Sequence, residues 1–162
     1  MSAVDHLINA NSAYTANFPG PRPRDPKLRM TVVACMDARL DPARILGLEE
    51  GDAHVIRNAG GVVTDDVIRS LAISQWLLGT SEIILVHHTD CGMLTFTDDE
   101  VKADIESKTG LRPHFALEAF SDLENDIRQS IARIKASPFV ASKDSLRGFI
   151  YDVTTGRLRE VT

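Results

Sequence analysis

The chain predicts an α/β fold: one domain on a mostly parallel central β-sheet, with about four parallel strands and an antiparallel C-terminal strand, flanked by α-helices. Three observations lead there. Short apolar runs bounded by turn residues alternate with longer segments of helical periodicity. The run Ile83 to His87 contains no Asp, Glu, Lys or Arg, as suits a central parallel strand buried on both faces. The C-terminal segment reads strand, turn, strand, which is a hairpin. At 162 residues the chain can bury a real core as one domain spanning 1–162. Residues 1–27 form an N-terminal helix and proline-rich arm, and 28–162 form the α/β core.

Val4 to Phe18 suits a helix, which cannot continue through Pro19-Gly20-Pro21-Arg22-Pro23-Arg24-Asp25-Pro26 because repeated prolines remove donors and force extended backbone. That stretch is a surface connector or an arm toward a partner subunit. Leu28 to Ala34 reads as a buried strand. Asp41 then caps a short helix with Pro42 in its first turn. Ala53 to Arg57 is a second strand, and Asn58-Ala59-Gly60-Gly61 is a turn. Thr64 caps a helix with Asp65 and Asp66 at its positive end. Val67, Ile68, Leu71, Ala72, Ile73, Trp76, Leu77 and Leu78 nearly encircle that helix, which predicts burial on most sides, with Gly79 as its C-cap.

After the strand at Ile83 to His87, Thr97 and Glu100 make a capping box for a helix ending near Gly110. From Glu118 to about Ala136, Phe120, Leu123, Ile127, Ile131 and Ile134 recur at steps of three and four, an amphipathic helix. Leu146 to Tyr151 and Arg157 to Val161 complete the hairpin across Thr154-Thr155-Gly156.

Composition removes several classes of function. The formal net charge is −5 with no long basic run, which argues against nucleic acid as a partner. No apolar stretch has the length of a membrane span, and the N-terminus lacks the pattern of a signal peptide. The expectation is a cytoplasmic protein whose two cysteines serve a metal or catalysis before a disulfide.

Both cysteines sit where a metal ligand could sit. Cys35 follows the run Met30 to Ala34, and Cys91 closes His88-Thr89-Asp90-Cys91 after the run Ile83 to Val86. In an open parallel sheet, ligands gather beyond the carboxyl ends of the strands. If the first and third strands are neighbours, Cys35, His88 and Cys91 converge on three soft or borderline donors, which catalytic zinc sites use while leaving the fourth position to water. His87 and His88 cannot both face one metal from alternating strand positions, and the spacing to Cys91 favours His88. Asp37 and Arg39 follow Cys35 at steps of two. They could pair, holding the carboxylate off the metal, or Asp37 could simply cap the next segment with Arg39 in solvent.

Cys35-Met36-Asp37-Ala38-Arg39 and His88-Thr89-Asp90-Cys91-Gly92, with Arg57-Asn58-Ala59-Gly60 between them, resemble the signatures of the β-class carbonic anhydrases. The resemblance is strong over Leu28 to Met93 and looser in the hairpin. It implies one Zn²⁺ per chain on Cys35, His88 and Cys91, with Asp37 and Arg39 as a catalytic dyad. It also implies reversible hydration of carbon dioxide to bicarbonate and a proton by zinc-bound hydroxide, and a homodimer or dimer-based tetramer. Asp37 is a possible fourth ligand in a closed state. Two thiolates cancel the zinc charge, so bound water should be less acidic than at a three-His site, where its pKa is about 7. Asp90 and His54 are candidate proton carriers. The Trp that some members place three residues before the first cysteine ligand, in a regulatory bicarbonate site, is Val32 here, so that site is not expected. Two alternatives stand beside this reading: a carbonyl sulfide or carbon disulfide hydrolase on the same scaffold, and a non-catalytic zinc-binding protein.

Overall fold

The computed structural model describes residues 2–162. Five strands form one sheet in the order β2-β1-β3-β4-β5: β1 Met30–Cys35, β2 Ala53–Asn58, β3 Glu82–His88, β4 Ser145–Tyr151 and β5 Leu158–Val161. The first four are parallel to one another, and β5 runs antiparallel to β4. The expected architecture is therefore present, including the adjacency of the first and third core strands.

The helices are α1 Ala3–Ala16, α2 Pro42–Leu46, α3 Asp65–Trp76, α4 Asp98–Thr109 and α5 Leu123–Ala136. Alternation along the strands sends Val33, Ile83 and Leu85 to one face of the sheet, where they pack with Val67 and Leu71 of α3 and Ile134 of α5. Val32, Ala34 and Val86 point to the other face, where they cluster with Leu40 and Met93, and the two cysteines join that cluster at the strand ends. The candidate site thus sits at the carboxyl ends of β1 and β3.

Local signals account for most boundaries. Asp41 accepts from Ala43 and Arg44 N–H at the start of α2, Thr64 accepts from Val67 N–H at the start of α3, and Thr97 and Glu100 form the expected capping box of α4. Gly110 closes α4 in the left-handed conformation.

Four expectations are corrected. β1 begins at Met30 and not Leu28, because Arg29 takes a positive φ of 53° and its N–H turns back to the Pro26 carbonyl. α5 starts at Leu123 and not Glu118: Glu118 has a φ of 63°, Asp122 is the N-cap, and Asp98 holds the Leu117 and Ala119 N–H groups in a loop. The C-cap of α3 is Leu77 and not Gly79, which bends the chain two residues later. Nor is α3 buried on most sides, since Ile73, Trp76 and Leu77 are 44%, 67% and 65% exposed. The helix packs on β1 and β2 by one face, and its outer face is left largely open, with Trp76 held at its edge by a hydrogen bond from Nε1 to the Phe139 carbonyl at 2.9 Å.

One glycine seats the turn after β2 against β1. Gly61 has a φ of 71°, and a Cβ there would lie 2.8 Å from the Cys35 amide nitrogen and 2.9 Å from the Ala34 carbonyl carbon. Backbone cannot move aside as a flexible side chain can. Gly61→Ala should therefore destabilise the protein by on the order of 3 kcal/mol, combining left-handed strain with overpacking. Gly47→Ala, at a similar φ of 67° with nothing near its Cβ, should cost only the conformational part, about 1–2 kcal/mol. Denaturant unfolding of the two variants checks the difference; equal losses would contradict it.

Candidate metal centre

Parallel pairing of β1 and β3 sets Ala34 opposite Val86, so both strands release their chains at the same level of the sheet. Cys35 ends β1, His88 ends β3, and Asp90, at a positive φ of 56°, turns the chain so that Cys91 comes back beside them. Aspartate tolerates that conformation better than most residues. The Cys35 and Cys91 sulfurs and a His88 ring nitrogen lie within 4.8 Å of one another. All three residues are buried and both cysteines are free, which sets aside the disulfide reading.

Whether a metal suits this cluster is decided by His88. Its Nδ1 is 2.8 Å from the Thr89 carbonyl, which can only accept, so Nδ1 carries the proton and Nε2 presents a lone pair. Nε2 is buried without a hydrogen-bond partner. A buried lone pair beside two sulfurs is a poor arrangement for solvent-free protein and a good one for a thiophilic cation. The donor set therefore fits a zinc-type ion.

His87, pointing the opposite way, is also fully buried, but its Nε2 lies 2.6 Å from Asp126 Oδ2 on α5 and its ring stacks on Phe120. It belongs to the packing of α5 on β3, as strand alternation requires. His54 pairs with Thr31 in register, four rungs below the Cys35–Asn58 pair, which is about 13 Å along a strand. Its Nδ1 lies 2.7 Å from Ser74 Oγ, within a buried hydroxyl cluster that includes Thr31 and Thr80. The geometry removes it as a proton carrier for this site.

Asp37 and Arg39 are paired. Arg39 Nε donates to Asp37 Oδ1 at 3.0 Å and its terminal Nη2 to Oδ2 at 2.8 Å, while the Arg39 N–H adds a third bond at 2.8 Å. Arg39 also donates to Asp90, to Oδ2 at 2.7 Å and to the carbonyl at 3.0 Å, tying the loop after Cys35 to the turn carrying Cys91. These bonds from Arg39 hold the Asp37 carboxyl well below the usual carboxylate range. Asp37 Oδ2 nevertheless stands only 3.7 Å from His88 Nε2. The carboxylate borders the cluster without being part of it.

The two thiols share one proton. Hydrogen bonding from Cys91 lowers the Cys35 thiol to about 4 against the opposing effect of burial, helped by the neighbouring His88 ring and then by the Asp37 and Gly60 N–H groups. Cys91, facing the Cys35 thiolate, is pushed up. A divalent cation would remove that competition by stabilising both thiolates.

A cleft of about 300 Å³ opens over the cluster, walled by Ala59, Gly60, Met93, Thr95 and Phe96. Its lining is mainly apolar and suits a small uncharged molecule. Sequence patterns pointed to the three candidate ligands and to Asp37 and Arg39, all of which come together. They include Arg57 in the resemblance but not its bonds to two carbonyls beside the site, nor the tie from Arg39 to Asp90. Neither leaves a periodic or spacing signal.

Comparison with known proteins agrees with the geometry. A family model described as carbonic anhydrase matches residues 30–158. Beta-carbonic anhydrase 1 of Mycobacterium tuberculosis is 59% identical over 162 residues, covering 100% of this chain and 99% of the relative. A carbon disulfide hydrolase of an Acidianus species is 37% identical over 157 residues, 82% of this chain and 76% of the relative. The crystal structure of carbonic anhydrase from Streptococcus mutans superposes with a TM-score of 0.94 at 48% identity, covering 100% of this chain and 99% of that one. The chain belongs to the β-carbonic anhydrase family of enzymes.

Proposed function

We propose that this protein catalyses the reversible hydration of carbon dioxide to bicarbonate and a proton, with one zinc ion held by Cys35, His88 and Cys91. The observation that carries the reading is the orphaned lone pair of His88, buried with two sulfurs at the ends of neighbouring strands, beside a carboxylate already claimed by an arginine. A zinc ion on these ligands supplies the Lewis acidity that makes hydroxide available from water.

The remaining work falls to the chain. Arg39 turns the Asp37 carboxylate toward itself, so that Asp37 accepts a hydrogen bond from the attacking oxygen and orients it without taking the fourth ligand position. Asp37 stays ionised at working pH, so it always accepts and never donates. Met93, Phe96 and Ala59 offer an apolar wall on which linear carbon dioxide can rest without competing hydrogen bonds. Asp90 is exposed, the better placed of the two proton carriers considered, for passing the released proton to solvent or buffer.

The substrate assignment follows the 59% relative over the 37% one. Comparing hydration of carbon dioxide with hydrolysis of carbonyl sulfide and carbon disulfide on one preparation separates the readings; a clear preference for a sulfur substrate overturns ours. Oligomerisation is supported by exposed apolar surface: Val4, Leu7 and Ile8 on α1, Ile73, Trp76 and Leu77 on α3, beside the edge strand β2. We assign this surface to a homodimer, alone or paired into a tetramer. Among the described residues no helix is long and apolar enough to cross a membrane, and free buried thiols suit the reducing cytoplasm we propose as its location.

Purified protein should carry one zinc per chain and hydrate carbon dioxide in stopped-flow assays, with a rate that climbs into the alkaline range. The sign follows from the charges: thiolates make the bound water less acidic, and Asp37, ionised far below neutral, contributes no inflection. A flat or acid-favouring profile contradicts the mechanism. Asp37→Ala should retain zinc and lose about 10–100-fold in kcat, as expected for a group acting on the metal-bound species from outside; loss of zinc would instead make Asp37 a structural ligand. Sedimentation equilibrium should give twice or four times 17.8 kDa, and a monomer would refute the assembly.

A further inference from the structure

The pairing of Asp37 with Arg39 presupposes that the backbone presents Asp37 correctly, and the sheet itself does not do this. The β1–β3 ladder ends at Ala34 opposite Val86, and the β1–β2 ladder ends at Cys35 opposite Asn58, with one more bond from Met36 N–H to the Asn58 carbonyl. The Cys35 carbonyl lies at the very end of β1, and the Asp37 carbonyl beyond it has left regular structure. Met36 between them points outward, 63% exposed, and supplies no packing to stiffen the turn.

Arg57 takes the place of the missing ladder. From the edge strand β2 its Nε donates to the Cys35 carbonyl at 3.0 Å and its terminal Nη2 to the Asp37 carbonyl at 2.7 Å. One rigid guanidinium fork therefore spans the tripeptide that joins a candidate ligand to the candidate catalytic carboxylate. Leu40 N–H also reaches the Asp37 carbonyl, but nothing else among the described residues bridges the two carbonyls. Arg57 forms no ion pair with a carboxylate among the described residues, so this cation is committed to main-chain oxygens. The margin it guards is small, because Asp37 Oδ2 already stands 3.7 Å from the ligating nitrogen of His88. A modest rotation of the Cys35–Asp37 turn would carry the carboxylate from Arg39 onto the metal position.

We propose that Arg57 is a positioning residue that sets the pose of Asp37, keeping the carboxylate on Arg39 and off the zinc. The inference rests on the metal reading above. It concerns which group fills the fourth position, and it assigns Arg57 no contact with substrate.

The test uses the full-length zinc protein, with Arg57→Gln, Arg57→Lys, Asp37→Ala and the double variant Asp37→Ala/Arg57→Gln. Metal content, kcat and KM for carbon dioxide hydration are measured on each, and ligand-field spectra on their cobalt-substituted forms. All should hold one metal per chain. Arg57→Gln should lose about 10–100-fold in kcat with KM unchanged, the range for groups that orient a metal site from outside. Arg57→Lys, which keeps the charge and one donor, should recover part of the loss. The cobalt spectrum of Arg57→Gln should change as carboxylate replaces water, and that change should vanish in the double variant. Because Arg57 acts only through Asp37, the double variant should be no slower than Asp37→Ala alone. The proposal is overturned if Arg57→Gln matches the parent in kcat and spectrum, if its loss persists in full on the Asp37→Ala background, or if it simply sheds metal. A parent that binds no zinc and hydrates no carbon dioxide instead overturns the reading of the site itself, and with it the role of Arg57.

Discussion

The parallel pairing of β1 with β3 is the constraint on which everything else depends. These strands are separated by a whole helical crossover in sequence, yet their register sets Ala34 beside Val86, so Cys35 and the His88/Cys91 turn emerge at one level. A one-residue slip would turn the apolar residues of β1 to the wrong faces of the sheet and move Cys35 off the level of the turn that carries its partners. The core enforces the register: Val32, Ala34 and Val86 fill one face, and Val33, Ile83 and Leu85 the other. Hydrophobic patterning thus positions three donors that hydrophobicity itself would never bring together. Gly61 tightens the arrangement by admitting the next turn to within contact of the Cys35 backbone, where a side chain would not fit.

Around this frame the charges are arranged in layers. Innermost are two sulfurs and one imidazole, which share too few protons without a cation and become mutually compatible with one. Next is Asp37, close enough to reach the cluster and restrained from it by Arg39. Arg39 is itself shared with Asp90, so one guanidinium couples the two loops that carry the ligands. Outermost is Arg57, fastened to carbonyls. The pattern places hydrogen-bond geometry, and not the strength of any single ion pair, in control of the site; exposed pairs of this kind contribute little stability by themselves. Their effect is on which of two nearby positions a carboxylate occupies.

Much of this was legible in the sequence, and for identifiable reasons. The adjacency of the first and third strands is the condition on which Cys35 and His88 converge, and the structure meets it; the caps at Asp41, Thr64 and Thr97 are local chemistry that tertiary contacts did not override. Spacing to Cys91 favours His88 over His87 and the family resemblance settles the choice, while the buried pairing of His87 with Asp126 accounts for the other histidine. What failed was long-range or quaternary. The α5 start was misplaced because Asp98, some twenty residues earlier, pins the Leu117 and Ala119 amides in a loop that periodicity alone reads as helix. The apolar residues around α3 predict core, whereas within one chain Trp76 and Leu77 are exposed. Arg57 stands out in the sequence only as part of the Arg57-Asn58-Ala59-Gly60 resemblance; its role does not, because its partners are backbone carbonyls, which carry no sequence signature.

The most direct test of the central claim is a crystal structure of the zinc-loaded protein at neutral pH. One zinc per chain is expected on Cys35 Sγ, His88 Nε2 and Cys91 Sγ, at about 2.3 Å to sulfur and 2.0–2.1 Å to nitrogen. Solvent should hold the fourth position, with Asp37 still on Arg39. Zinc bound elsewhere, or Asp37 released from Arg39 and bound to the metal under those conditions, would contradict it.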